Sequence, residues 1–479
     1  MSTGLFSLSL ELILRITKIP GIATVRNAEL HEEGIYNARE HDEQGRSTED
    51  LVPAELKTLI NLSCTCTHFR AVLAPVIYRK LWLTNTITSA TSVKAIAATR
   101  FRIHVREILF VGRAPGSEED GFEQVGEVIA SEVLEILANL RSCFPNLNCL
   151  NVGFAFEAWD YDKWANHLSE SFINPESDDE VEHLETKESF RALTASVWGA
   201  ISRNKPGIIK TLKMRHFFPK LVTTYFSEKF QSFLGGIEEF EMSVWGQDDG
   251  VCASNTGDGY LDAISKLDKV FANLRFCTEF TLRSSQYGWM GCEGMSHVPL
   301  PLKPGTMPKL ERLTLHHCFL GPELCDFLQT HSGTLREITM QDCCAVPDRR
   351  TNNGIEWCEL FRTVRTLQKL EKVEVLPAKL PYSWHMQNSL VENDEDVRED
   401  VGKAAKELET KQDRRMFAYG ELNDKYRDWS LRSDKIREHF WRGHDQKEWY
   451  DLIDTLRQRE LVEAQTQNII AKIVRSGEY

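Results

Sequence analysis

The chain has 479 residues, 42% hydrophobic and 27% charged, which at roughly 100–200 residues per domain supports two to four structural units and excludes wholesale disorder. Its 57 basic and 71 acidic residues leave a formal charge of −14, which argues against a dominant phosphate-binding role and so against nucleic acid as the partner. No run approaches the ~18 consecutive apolar residues of a membrane-spanning helix, so no membrane partner is expected.

Taken in chain order, residues 5–19 place Leu5, Leu8, Leu12, Ile16 and Ile19 at intervals of three and four. Leu10, Ile13 and Leu14 widen that stripe, which predicts an amphipathic helix. A basic n-region is missing, so the segment does not read as a signal peptide. Residues 20–51 turn polar, with Gly21, Gly34, Gly45 and the run HDEQGRSTED, and read as a loop. Pro53 and Glu55 then open a second helical stretch carrying Leu56, Leu59, Ile60, Leu62, Phe69 and Leu73, which Pro75 should end.

Beyond residue 82 a short apolar pattern recurs. It runs from Val105-Ile108-Phe110 and Leu147-Leu150-Val152 through Ile209-Leu212-Met214, Ile237-Phe240-Met242 and Cys277-Phe280-Leu282. Leu310-Leu313-Leu315, Leu335-Ile338-Met340 and Leu370-Val373-Val375 continue it. The last two positions of each copy alternate as a strand does. Stretches such as 126–144 and 323–331 between them read as helices. In series the copies resemble the L-x-x-L-x-L signature of leucine-rich repeats, with uneven insertions between them.

Two insertions stand out. Trp159, Tyr161 and Trp164 precede Glu176, Asp178, Asp179, Glu180, Glu182 and Glu185, read as a solvated acidic loop, with an acidic lip for basic partners as the functional alternative. Residues 245–260 are rich in Gly and Asp but lack the alternating ligands and closing Glu of a calcium loop, and read as a turn. Trp245, Tyr287, Trp289, His316 and His317 follow predicted strands and are the candidate substrate-binding residues.

After Pro381 the chain becomes highly charged. Leu422, Trp429, Leu431, Ile436, Phe440, Trp449 and Leu452 recur at mostly helical intervals, which predicts a charged linker and amphipathic C-terminal helices. The 12 cysteines are too sparse for a disulfide scaffold. Cys64 and Cys66 would point about 200° apart on a helix, and no second C-x-x-C completes a zinc set, so no metal, no other cofactor and a reducing compartment are expected. No nucleophile elbow, Walker loop, dinucleotide fingerprint or H-E-x-x-H is present, so no catalytic residue is named.

The two N-terminal stretches, LSLELILRI at 8–16 and LINLSCTCTHFRAVLAPVIYRKLW at 59–82, resemble the two halves of an F-box. Leu8, Glu11, Ile16, Leu59, Leu62, Ser63, Cys66, Phe69, Arg70, Tyr78 and Trp82 fall in order on that pattern. Ser9 stands where the pattern has proline, and the halves are split by the polar insertion.

The resemblance, similar to filamentous-fungal F-box proteins, implies an α/β chain of three parts. Residues 5–82 form a helical F-box, 83–380 an irregular leucine-rich-repeat solenoid, and 381–479 a linker and C-terminal helices. It implies a non-catalytic substrate receptor of an SCF-type cullin–RING ubiquitin ligase, intracellular in cytoplasm or nucleus. Leu8, Leu10, Ile13, Leu59, Leu62, Cys66 and Phe69 would serve the Skp-family adaptor, and through it the cullin, while the repeats hold an unidentified protein substrate. The alternative is a leucine-rich-repeat interaction scaffold with no ligase role.

Overall fold

The structure is a computed structural model. It describes residues 54–114, 128–156, 178–218, 220–244, 258–284, 289–293, 296–346, 354–376, 403–404, 406–411, 413–423, 428–431 and 433–476. Leu8, Leu10, Ile13, Trp245 and Tyr287 lie outside the described residues. The chain divides into two compact units, one of Met1–Lys80 with Arg100–Val105, the other of Leu81–Thr99 with Arg106–Tyr479.

In the first unit, α1 (Ala54–Thr65) and α2 (Thr67–Ile77) pack against each other. They part at Cys66, whose extended backbone makes it the N-cap of α2, its sulfur accepting from the Phe69 N–H at 3.4 Å. The helix expected to stop at Pro75 runs on to Ile77, because the Tyr78 N–H closes the last turn on the Ala74 carbonyl at 3.0 Å. Tyr78 then stacks on Phe101, ring centroids 4.9 Å apart.

The second unit is built on β1 (Lys80–Thr84), β2 (Glu107–Ala114), β3 (Cys149–Phe156), β4 (Thr211–Phe217), β5 (Glu239–Val244) and β6 (Glu279–Arg283). A small antiparallel pair, β7 (Cys292–Glu293) and β8 (Ser296–His297), follows. Then come β9 (Arg312–His316), β10 (Phe319–Leu320), β11 (Glu337–Gln341), β12 (Cys344–Ala345) and β13 (Lys372–Leu376). Nine of these form one sheet in the order β1-β2-β3-β4-β5-β6-β9-β11-β13, with every neighbouring pair from β2 onward parallel.

Every apolar position of the eight recurring triplets is buried, from Val105 and Ile108 to Val373 and Val375. Parallel strands need crossovers, and helices supply most of them. They are α3 (Ile87–Ala97), α4 (Ser131–Ala138), α5 (Asp178–Glu185), α6 (Ser189–Ile201), α7 (Glu228–Leu234), α8 (Asp258–Phe271), α9 (Pro322–Thr330) and α10 (Trp357–Arg365). Rings interlock between layers: Phe271 of α8 meets Phe280 edge-on at 5.0 Å and Phe240 at 5.9 Å. Buried Asn204 knits one crossover, accepting from the Leu140 N–H at 3.1 Å and donating to the Leu137 and Ile201 carbonyls.

The expected architecture, an N-terminal F-box followed by a leucine-rich-repeat solenoid and C-terminal helices, is therefore corrected. The fold is an α/β one, organised by a single nine-stranded parallel sheet with its crossover helices. Leu81 and Trp82, assigned to the helical module, lie in sheet strand β1, where alternation KLWLT buries Leu81 and Leu83. Nor is the C-terminal part purely helical. Leu422, Trp429 and Leu431 belong to a hairpin of β14 (Gly420–Asn423) and β15 (Asp428–Leu431), because their spacing also satisfies a two-residue period around a turn.

Two helices follow, α11 (Ser433–Arg442) and α12 (His444–Ser476), and α12 packs on α10. Arg459 donates to the Leu367 and Arg365 carbonyls, while Asp445 accepts from the Tyr419 hydroxyl at 2.8 Å and the Cys358 N–H at 2.9 Å. Among the described residues no helix is long and apolar enough to cross a membrane.

Candidate functional site

Two places can carry recognition, and each is set by local sequence. On α1 and α2, Leu59 is buried, whereas Leu62, Cys66 and Phe69 are half-buried. Cys66 is tied to helix capping, and Leu59 to the core. Ile60, 38% exposed, and Val76, 41% exposed, are the large apolar side chains these helices leave open, which sequence pattern alone did not single out.

The second place is the carboxyl-terminal edge of the sheet. In β9 the alternation sends Leu313 and Leu315 inward and Arg312, Thr314 and His316 to the other face. His316 nevertheless ends up 6% exposed. Register aligns His316 with Gln341 of β11, so His317 and Asp342 leave the sheet side by side.

Both turn through left-handed backbone, φ 52° and 50°, as His216 does inside β4 at φ 47°, where the β4–β5 register shifts between Met214 and Phe217. Non-glycine residues held there cost about 1–3 kcal/mol each and persist only when surrounding bonds fix them. Here the ladder does so: His317 N–H donates to the Gln341 carbonyl at 3.1 Å, and Asp342 N–H to the Leu376 carbonyl at 2.8 Å. The His317 ring has Nδ1 3.2 Å from the Ser284 carbonyl and Nε2 3.7 Å from an Asp342 carboxylate oxygen.

Trp289 is not a surface anchor. It is 2% exposed, packed 5.6 Å from the His317 ring and 5.4 Å from Phe319. Of the sequence candidates, the edge thus brings Trp289, His316 and His317 together, with one of the three partly open. Burial, with Arg283 and His317 close by and Glu241 opposing, lowers the His316 pKa from 6.5 to about 3. Burial and Arg215 lower that of His216 to about 4. Both imidazoles are neutral near pH ~7, poorly matched to proton transfer there.

Beside His316 lies a charge cluster the sequence reading missed. Glu241 of β5 accepts from Arg215 of β4 at 2.7 Å and lies 3.3 Å from Lys213 and 3.2 Å from Arg283 of β6. Burial would raise the Glu241 carboxyl, but Arg215, Lys213 and Arg283 together hold it below the ordinary range. These four residues occupy unremarkable outward positions in three separate strands. Only the outward slots of K-x-R in β4 and of the neighbouring triplets could have signalled them.

The acidic run behaves differently from the solvated loop expected. Asp178–Glu185 forms α5, its early acids suiting a helix N-terminus, with Val181 buried. Glu185 turns inward to accept from the Thr223 N–H at 2.6 Å, and burial raises its pKa. Two buried thiols are held protonated: burial pushes Cys277 up to about 12, and burial with Asp445 and Glu356 does the same to Cys358. Among the described residues no three His, Cys, Asp or Glu side chains are grouped to hold a metal.

No family model and no curated protein matches the chain. Among solved structures it is similar to an endo-1,4-β-mannanase from Rhizomucor miehei, at 10% identity and TM-score 0.21, over 70% of this chain and 96% of that one. At that score the likeness bears on neither fold nor activity.

Proposed function

We propose that the chain is a non-catalytic substrate-recognition subunit of an SCF-type ubiquitin ligase. In this reading α1 and α2 dock the Skp-family adaptor, and through it the cullin, while the sheet unit holds a protein substrate. The observation that carries it is the ordered run Leu59, Leu62, Ser63, Cys66, Phe69, Arg70, Tyr78 and Trp82, most of it on a helix pair that leaves Ile60 and Val76 open. An exposed apolar surface on a short helix pair suits a helix-binding partner.

The ligase would supply the chemistry, and this chain the proximity that raises effective concentration. The protonated thiols of Cys277 and Cys358 and the neutral imidazoles of His216 and His316 support a binding role at these positions over a hydrolytic one. Such a receptor works inside the cell, in cytoplasm or nucleus.

Co-expression with a Skp-family adaptor tests the reading. Wild type should co-purify with it, and Val76→Asp or Phe69→Ala should lose capture while the sheet unit still melts cooperatively. A soluble wild type that captures no adaptor would leave an interaction scaffold without a ligase role.

A further inference from the structure

The long helix α12 changes character along its length. Its first half is seated: Trp449, Leu452 and Leu456 are buried, and Arg459 bonds the Leu367 and Arg365 carbonyls. From residue 460 to 471 every position is exposed. Among them and just beyond, Leu461, Val462, Ile469, Ile470 and Val474 stand 55–60% exposed. A helix end surrounded by water needs no such apolar content, and a concentration of it marks a contact surface.

The residues of this end are ordered. Val462, Thr466, Ile469 and Ile473 recur at intervals of four and three, the spacing that lays a seam between two helices. Read inward from its two ends, the segment mirrors itself. Glu460 answers Arg475, Leu461 answers Val474, Val462 answers Ile473, and Glu463 answers Lys472. Turned end for end, it is its own complement.

We propose that residues 460–476 of α12 pair antiparallel with the same segment of a second copy of this chain, giving a two-fold symmetric dimer. The proposal stands apart from the ligase reading and makes no use of α1 or α2. Three arguments select this occupant.

First, a two-fold axis between residues 467 and 468 sets 462 against 473 and 466 against 469. Every layer of the seam is then filled from the same four positions on both helices, as an isologous contact requires. Second, that arrangement brings Glu460 and Glu463 level with Arg475 and Lys472 of the second copy. Packed helix axes lie about 8–10 Å apart, within about one Debye length, so these opposite charges attract. A parallel pair would set acid level with acid and base level with base, and the repulsion opposes it. Third, a stripe with acids at one end and bases at the other suits no uniformly charged partner, since one end always repels it.

The surface is small. Between about four and five turns per copy bury less than the ~1,200 Å² of a standard interface, so Kd is on the order of 10–100 µM. Monomer therefore prevails at the dilution of a gel-filtration peak.

Sedimentation equilibrium of the full chain, from ~5 to ~200 µM in ~50 mM salt, tests the proposal. Wild type should pass from monomer toward dimer and no further. Ile469→Asp should weaken association by about tenfold or more, while the sheet unit melts as in wild type. Glu460→Lys with Glu463→Lys, or Lys472→Glu with Arg475→Glu, should each weaken it by about tenfold, although they move the net charge in opposite directions. All four substitutions in one chain should restore wild-type affinity to within about threefold, because the two ends are exchanged and remain complementary. Misfolding of a variant does not produce such a restoration.

A wild type that stays monomeric at ~200 µM overturns the proposal, as does growth beyond the dimer. So does undiminished association of Ile469→Asp, or a quadruple variant as weak as its two halves. Either of these last results would place the contact on another surface or in a parallel pair.

Discussion

Acidification should destabilise the sheet unit through His316, and the size of the effect follows from its setting. Its pKa is lowered from 6.5 to about 3 by burial, by Arg283 and by His317. The folded state therefore refuses a proton that the unfolded chain accepts. The stabilising contribution is fully present above the unfolded pKa and is lost as pH falls through it toward the folded value. At 1.36 kcal/mol per unit, the loss is about 2 kcal/mol by pH ~5 and about 4–5 kcal/mol once His316 is fully protonated.

His216, lowered to about 4 by burial and Arg215, adds in the same direction, by less because it is only half-buried. Glu241, held below the ordinary carboxylate range, contributes only at lower pH, and Asp445, raised by burial, acts with the opposite sign. The assay is urea unfolding of wild type and His316→Gln at pH ~7.5 and pH ~5. The variant should lose about 2 kcal/mol less than wild type over that interval. Equal losses would refute the reasoning, because His316 would then be no more buried from protons when folded than when unfolded.

Further outcomes follow from other contacts. Asp445→Ala should cost about 2–4 kcal/mol in urea unfolding, since it strands the Tyr419 hydroxyl and the Cys358 N–H, while Asp445→Asn should cost roughly half as much. Gly236→Ala should prevent cooperative folding, because its Cβ would sit 2.0 Å from the Gly207 nitrogen; Gly199→Ala in α6 meets nothing within 4 Å and should raise stability by about 0.5–1 kcal/mol. A thiol reagent should modify exposed Cys64 in the folded protein, and Cys277 and Cys358 only on unfolding; rapid labelling of Cys358 in the native state would contradict its burial.

The strands were legible because each buries apolar residues at a period of two, and one face of a parallel sheet forces that period on every copy. Ile108 and Phe110, or Leu313 and Leu315, could hardly be arranged otherwise. What could not be read was how the strands and flanking segments assemble, since the triplets carry no information about which segment extends the edge. Leu81–Thr84 joined the sheet, and Leu422 and Trp429 formed a hairpin, against a helical reading that their intervals equally permitted.

The site was harder still. Trp289 looked like an exposed anchor and is buried, because a ring following a strand can fold back over it as easily as face solvent. Lys213, Arg215, Glu241 and Arg283 are spread over 70 residues of sequence and meet only through register, which no local pattern records.

The most direct test of the central claim is the mass of the complex. Full-length chain mixed with a purified Skp-family adaptor, then measured by light scattering after gel filtration, should give a one-to-one assembly that Val76→Asp abolishes. Separate elution of the two wild-type proteins, each folded, would contradict the account.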